Sequence, residues 1–212
     1  MKLYGYFRSS ASFRVRIALN LKGLMLDAIF VHLPSGEQNR ADYQQSINPQ
    51  GLIPSLETDN GDVLAQSLAI LEYLDEIHPE PALLPSDAIG RARVRHMAQL
   101  IACDIHPLNN LRVLKYLKDP LDQDQDAVNT WYRHWIAKGF KALEVLLGQY
   151  GGDYCFGDQV TLADTCLVPQ AWNARRFDCD LSPYPKLVEI DARLNELEAV
   201  KQALPEHQPD AA

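Results

Sequence analysis

The sequence predicts an α/β domain followed by an all-helical domain, and three observations carry that prediction. Short runs of β-forming residues alternate with helical stretches through the first 80 residues. A proline-rich break, Pro79-Glu80-Pro81 and Pro85, comes next. Beyond it the apolar residues recur only at helical spacing. The expected boundaries are residues 1–80 for the first domain, 81–86 for the linker and 87–212 for the second. A chain of 212 residues suits one or two domains at about 150 residues each.

The first domain is read in order. Leu3, Tyr4, Tyr6 and Phe7 make residues 2–7 a strand, and residues 8–12 are a polar turn. Ser12 is a suitable cap for a helix whose apolar side is Val15, Ile17, Ala18, Leu19 and Leu21. Gly23 stands where a helix commonly ends in a left-handed residue. Residues 27–32 form a second strand, and a weak helix is expected over 41–46. Asn48-Pro49-Gln50-Gly51 is a turn. Residues 53–58 are a short strand that turns through Asn60-Gly61 into residues 62–65. Ser67 then caps a helix running to His78 with Leu68, Ile70, Leu71 and Leu74 inward. The order β-α-β-α-β-β-α is the thioredoxin-like arrangement.

The second domain reads as helix throughout. Residues 91–116 form one long helix bent by Pro107. Val128, Trp131, Trp135, Phe140, Leu143 and Leu147 mark another, with the aromatic stripe assigned to the core. Thr161 to Asp164 is a capping box with Asp in place of Glu, opening a helix to Phe177, and Asp164 is read as a structural cap. A further helix covers 184–194, and the polar tail from Pro205 is expected to fray.

Composition narrows the function. Twenty-eight acidic against 20 basic residues give a net charge of −8, which argues against nucleic acid or an anionic membrane as the main partner. No basic segment precedes an apolar stretch at the start, and apolar runs fall far short of the roughly 20 residues that span a bilayer. A cytoplasmic protein is expected. Cys103, Cys155, Cys166 and Cys179 are scattered without a C-x-x-C pair, which suits reduced thiols and no metal site. Charge is also uneven. Lys2, Arg8, Arg14, Arg16 and Lys22 precede the first acid, Asp27. Arg14, Arg16 and Lys22 fit a solvated helix face, whereas Arg8 fits an anion site.

The candidate chemistry lies at the first turn. A thioredoxin-like fold places its reactive group at the start of the first helix, where N–H groups and the helix dipole stabilise an anion. Redox members carry C-x-x-C there, but this chain has Ser9-Ser10-Ala11-Ser12. A hydroxyl cannot exchange disulfides; it can donate to the thiolate of a ligand. Ile53-Pro54 after a turn is a candidate cis bond that exposes the Ile53 backbone to an extended peptide. Gln66-Ser67 precedes a helix, where Ser67 and N–H groups can hold a carboxylate.

These residues carry a family resemblance. Residues 8–19, Arg8-Ser9-Ser10-Ala11-Ser12-Phe13-Arg14-Val15-Arg16-Ile17-Ala18-Leu19, resemble the signature of the zeta class of glutathione S-transferases. That class includes maleylacetoacetate isomerase and maleylpyruvate isomerase. Asn48 to Pro54, Gln66-Ser67, Cys103 to Pro107 with Asn109-Asn110, Leu162 to Gln170, Asn173 to Phe177 and Leu181 to Pro185 extend it over nearly the whole chain. The resemblance implies the glutathione transferase fold, glutathione as cofactor and a homodimer. It also implies cis–trans isomerisation of a maleyl to a fumaryl group, with maleylacetoacetate of aromatic amino-acid catabolism preferred and maleylpyruvate the alternative. A conjugating transferase or dehalogenase and a non-catalytic glutathione binder remain open.

Site roles follow from the same resemblance. Ser9 and Ser10 contact the sulfur; Gln50 and the Ile53 backbone hold the peptide; Gln66 and Ser67 hold the γ-glutamyl end. Arg8 and Arg176 bind the carboxylates of a dicarboxylate substrate, with Arg175 the alternative to Arg176. His106 and Asn110 line the substrate side, and Asp104 reaches glutathione across a dimer interface. The family often has cysteine where Ala11 stands, so side chemistry through that thiol is not expected here.

Overall fold

The computed structural model describes residues 1–211. The chain forms two compact units. One is Met1–Leu83 together with the chain from Glu196, and the other is Leu84–Asn195.

In the first unit a four-stranded sheet carries β1 (Lys2–Gly5), β2 (Asp27–Phe30), β3 (Ser55–Glu57) and β4 (Val63–Ala65) in the order β2-β1-β3-β4. β1 and β2 are parallel, with Leu3 beside Ala28, so a helix must cross between them. That helix is α1 (Ser10–Leu21). The other pairings are antiparallel, placing Leu3 beside Leu56 and Leu56 beside Leu64. Leu3 and Leu56 meet Val15 and Leu19 of α1 and Ile70 and Leu74 of α3 (Ser67–Ile77) in one apolar cluster. The β3–β4 turn closes through Gly61 at φ +86°. A short α2 (Ala41–Ser46) precedes β3.

The second unit is helical: α4 (Ala88–Gln99), α5 (Leu111–Lys118), α6 (Gln125–Tyr150), α7 (Leu162–Arg176) and α8 (Pro185–Asn195). α7 is its central element, with 12 of 15 residues buried. Among the described residues no helix is long and apolar enough to cross a membrane.

Five expectations are corrected. Ser12 does not cap α1: Ser9 does, its Oγ accepting the Ser12 N–H at 3.2 Å, and the helix opens at Ser10. Ser67 is the first residue of α3 and not its cap; Gln66 takes that position at φ +72°. Residues 91–116 are not one helix. After α4 the chain widens into a π-helical turn over Leu100–Ile105, tightens into a 3-10 turn over His106–Asn109, and restarts as α5. Pro107 has no N–H to give and its ring crowds the carbonyl four residues earlier, so the ladder is disrupted upstream of the proline. The core face of α6 runs through Tyr132 and Ile136, while Trp131 and Trp135 are half-buried.

The last correction concerns the end of the chain. Residues 196–211 were assigned to the helical domain, with a frayed tail, but pack with the first unit. Asn20 donates to Ala199 O at 2.9 Å and Arg16 to Ala203 O at 3.1 Å. After α9 (Glu198–Lys201), two 3-10 turns are held by Gln208, whose amide donates to Gln202 O and Leu204 O at 2.9 Å each.

Candidate active site

The first turn forms because β1 delivers the chain to a serine that caps a helix. The Ser9 N–H donates to Tyr6 O at 3.0 Å, closing the turn, and Ser9 O accepts the Phe13 N–H at 2.8 Å, starting the helix. Ser9 Oγ accepts the Ser12 N–H as the helix cap. Its hydroxyl proton has no acceptor among the described residues and is available to a ligand. Ser10 is buried at 6% exposure, and Ser12 is fully buried with its Oγ against Gly5 of β1. Arg8 is exposed, its guanidinium 4.9 Å from the Phe7 ring centroid, with no carboxylate in ion-pair reach among the described residues.

The same unit brings the next group of residues to one place. The Ile53-Pro54 bond is cis, and neither the N–H nor the C=O of half-buried Ile53 is paired within the described chain. Tyr43 and Asn48 hold the preceding Leu52 carbonyl at 2.9 Å each. Gln50 and Gln66, far apart in sequence, meet directly: Gln66 Nε2 donates to Gln50 Oε1 at 2.8 Å. Gln66 keeps its left-handed backbone without a glycine, a conformation costing of order 1–3 kcal/mol that the surrounding structure must impose. Ser67 follows, buried at 6% exposure, its Oγ accepting from Arg14 Nη1 at 3.2 Å.

In the second unit the π-helical turn carries Asp104, exposed, and the 3-10 turn carries His106, half-buried. Asn110 is the N-cap of α5, its Oδ1 accepting the Arg112 N–H at 3.1 Å. Asn109 is buried and donates to Tyr132 O. The π turn is seated against α6 at Gly139: a Cβ there would lie 2.3 Å from Cδ1 and Cγ1 of Ile105.

The two arginines ending α7 differ. Arg175 binds Asp191 at 2.6 Å, and Asp191 is 1% exposed. Burial pushes the Asp191 carboxyl above the usual range, and Arg175 opposes that shift. Arg176 has no carboxylate partner among the described residues. It lies over Trp172 and Phe177, 5.8 and 5.3 Å from their centroids. Phe177 stacks on Tyr132 at 3.6 Å. Burial raises the Tyr132 phenol and the Arg176 charge opposes it, so Arg176 faces that hydroxyl electrostatically. Asp164 is buried and accepts from Cys155 N, Thr161 N and Thr161 Oγ1 at 2.7–2.8 Å. Burial raises its carboxyl, and those three bonds oppose the shift.

The solvated reading of Arg14, Arg16 and Lys22 is overturned. Arg14 is 2% exposed. Lys22 Nζ binds Asp75 at 2.8 Å, His78 O at 2.7 Å and Pro81 O at 2.8 Å, tying the end of α1 to the end of α3. Arg16 holds Tyr6 O and Phe7 O beside the serine turn, at 3.5 and 3.0 Å. The run of bases before the first acid is a signal for these braces, whereas the sequence suggests a solvated face for Arg14, Arg16 and Lys22 and an anion site for Arg8.

Comparisons with known proteins agree with this layout. Residues 3–82 match the family model for the glutathione S-transferase N-terminal domain, and residues 108–207 that for its C-terminal domain. The chain is 53% identical to a probable maleylacetoacetate isomerase of Vibrio cholerae, over 99% of this chain and 97% of that protein. Among solved structures it resembles a holo maleylpyruvate isomerase, described as a bacterial zeta-class glutathione S-transferase. The TM-score is 0.96 at 49% identity over the full length of both chains. A maleylacetoacetate isomerase of Methylobacterium extorquens with bound malonate and GSH gives TM-score 0.96 at 40% identity, again over both full lengths.

Proposed function

The chain belongs to the glutathione S-transferase family, in the zeta class with the maleylacetoacetate and maleylpyruvate isomerases, and from that premise we propose that it is a glutathione-dependent cis–trans isomerase of maleylacetoacetate. The observation that carries this reading is the first turn of α1. Ser9 Oγ caps the helix by accepting the Ser12 N–H, and its hydroxyl proton, with no acceptor among the described residues, is free to be donated to a thiolate. The turn contains no cysteine, so the thiol arrives with the ligand.

The residues fit glutathione. The unpaired N–H and C=O of Ile53 suit a peptide laid alongside as an added strand. The Gln50–Gln66 amide pair and the first turn of α3 at Ser67 suit the γ-glutamyl end. The bound structure with malonate and GSH supports a site for a thiol peptide beside a small dicarboxylate. When bound, glutathione supplies a thiolate that adds to the cis double bond and departs after rotation, so none is consumed.

The protein's part is to keep the sulfur ionised and the substrate oriented. A free thiol has a pKa near 8.5; lowering it by about two units requires roughly 2.7 kcal/mol of preferential thiolate binding. The Ser9 hydroxyl, Ser10 and the N–H groups opening α1 supply it. Arg8 and Arg176, neither of which has a carboxylate partner among the described residues, bind the two anionic ends of the substrate. Arg175 is committed to Asp191 and serves the fold. His106 and Asn110 border the substrate, and Asp104 acts on glutathione from a second protomer. The homodimer works in the cytoplasm, where the four free cysteines stay reduced.

The test is an isomerase assay with maleylacetone and then maleylpyruvate, with and without glutathione, titrating free thiol before and after. Conversion that needs glutathione and leaves its concentration unchanged is expected, and the rate ratio selects the substrate. Loss of thiol makes the chain a conjugating transferase. No reaction with either substrate overturns the isomerase.

A further inference from the structure

The C-terminal tail meets the serine turn from the far end of the chain. The Phe7 N–H donates to Asp210 Oδ2 at 2.9 Å, across 203 residues. Arg16, seven residues into the helix that Ser9 caps, donates through Nη2 to Phe7 O and through Nη1 to Tyr6 O. Its Nε reaches Ala203 O at the base of the tail. All of these groups lie in the first unit. Tyr6 O is also the acceptor that closes the turn with the Ser9 N–H.

We propose that Asp210 and Arg16 form a clamp through which the C-terminal tail positions the Tyr6–Ser9 turn, making Asp210 a positioning residue for the thiolate site. A turn closed by a single hydrogen bond leaves the remaining N–H and C=O groups of residues 6 and 7 for solvent or for the rest of the protein. Here the protein takes both carbonyls and the Phe7 N–H, the last with a charged acceptor, the stronger kind of hydrogen bond. The guanidinium carries two more of these groups on one rigid plane. Burial lowers Arg16 to about 10, and the nearby Asp210 charge opposes that by favouring the charged guanidinium. Tail and turn are therefore one structural unit. The direction of the Ser9 hydroxyl depends on the last turn of the chain.

This inference rests on the proposed thiolate site, so its test has one arm that does not depend on it. Hydrogen exchange at the Phe7 amide is measured in the parent, Asp210→Ala and Asp210→Asn. Slow exchange is expected in the parent, exchange at least tenfold faster in Asp210→Ala, and partial recovery in Asp210→Asn, which keeps an acceptor. Unchanged Phe7 exchange in Asp210→Ala refutes the clamp, whatever the enzyme does. The second arm titrates the thiolate of bound glutathione by ultraviolet absorbance and follows kcat and KM. With the clamp, Asp210→Ala raises the thiol's apparent pKa and lowers kcat on the order of tenfold, the scale on which small misplacements act. A purely structural tail would lower thermal stability and leave the thiolate titration where it was. That result, with faster Phe7 exchange, removes the positioning role. A parent that ionises no bound thiol overturns the proposed function, and the exchange arm alone then decides the clamp.

Discussion

Gly139→Ala gives the sharpest test of how the second unit holds its irregular turn. The glycine lies on α6 facing Ile105, the last residue of the π-helical turn that carries Asp104 and leads into His106. An added Cβ would sit 2.3 Å from both Cδ1 and Cγ1 of Ile105. Favourable carbon contacts begin near 3.5 Å, so the overlap is roughly 1.2 Å with each atom. Ile105 is 1% exposed, so any shift of its side chain stays within the core. Overpacking of this kind costs about 1–3 kcal/mol. Alanine in a helix interior is worth about 1 kcal/mol over glycine, so the net expectation is a loss of up to about 2 kcal/mol.

A second background separates the two effects. Ile105→Ala removes both clashing atoms and keeps Cβ, which lies at an ordinary 3.7 Å. Alone it leaves a cavity and costs about 2–5 kcal/mol. Adding Gly139→Ala to it should now stabilise by about 0.5–1 kcal/mol, because helix propensity acts without the clash. Urea unfolding of the four proteins gives the cycle. The predicted signature is a change of sign between backgrounds. The same sign in both would show that Gly139 is not what lets the π turn approach α6, and the seating argument would fall. Isomerase kinetics on Gly139→Ala add the functional reading: a shift of the π turn moves Asp104 and His106, and glutathione KM should rise.

The other predictions concern single side chains. Asp164→Ala strands three donors and removes a cap, so unfolding free energy should fall by about 3–5 kcal/mol, with one donor's worth or less counting against the assignment. Arg176→Ala should lower kcat/KM by roughly 10- to 150-fold, the equivalent of about 1.5–3 kcal/mol, with little change in stability. Arg175→Ala should do the reverse, losing about 1–2 kcal/mol of stability. This is less than a fully buried pair would cost because the Arg175 side chain is 47% exposed. Similar kinetic losses in the two variants would contradict their separation. Cys179 is pushed up to about 11, mainly by burial. Its alkylation should therefore climb about tenfold per pH unit through pH 10, followed by mass spectrometry of the modified peptide, and a plateau below pH 9 would refute that environment.

What was legible in the sequence was local. The strand order, the Asn60-Gly61 turn, Gly23 at the end of α1 and the Thr161–Asp164 box are each written within a few residues, and each stands where it was expected. The serine turn was legible for the same reason, although three serines within four positions offer the cap and Ser9, not Ser12, holds it. The π-helical turn was not legible. Pro107 announced a disruption, but the widening is fixed by how Ile105 seats on Gly139, 34 positions later in the chain.

The misreading of the basic residues has a more general cause. Arg16 and Lys22 were assigned to solvent because no acid stood near them in sequence. Five of the acceptors they use are backbone carbonyls: Tyr6 O, Phe7 O, Ala203 O, His78 O and Pro81 O. A carbonyl belongs to every residue and leaves no mark on composition, so a cation that braces the main chain looks unpartnered until the fold is known. Arg14 follows the same logic through a serine hydroxyl. Arg14, Arg16 and Lys22 are thus the imprint of a helix that ties its neighbours, the turn before it, the tail beside it and α3, whereas Lys2 lies on β1 and pairs with Glu57. Arg8, outside that helix and paired with no carboxylate among the described residues, stands apart from that group, and under the proposed function its guanidinium is left to meet an anion from solution.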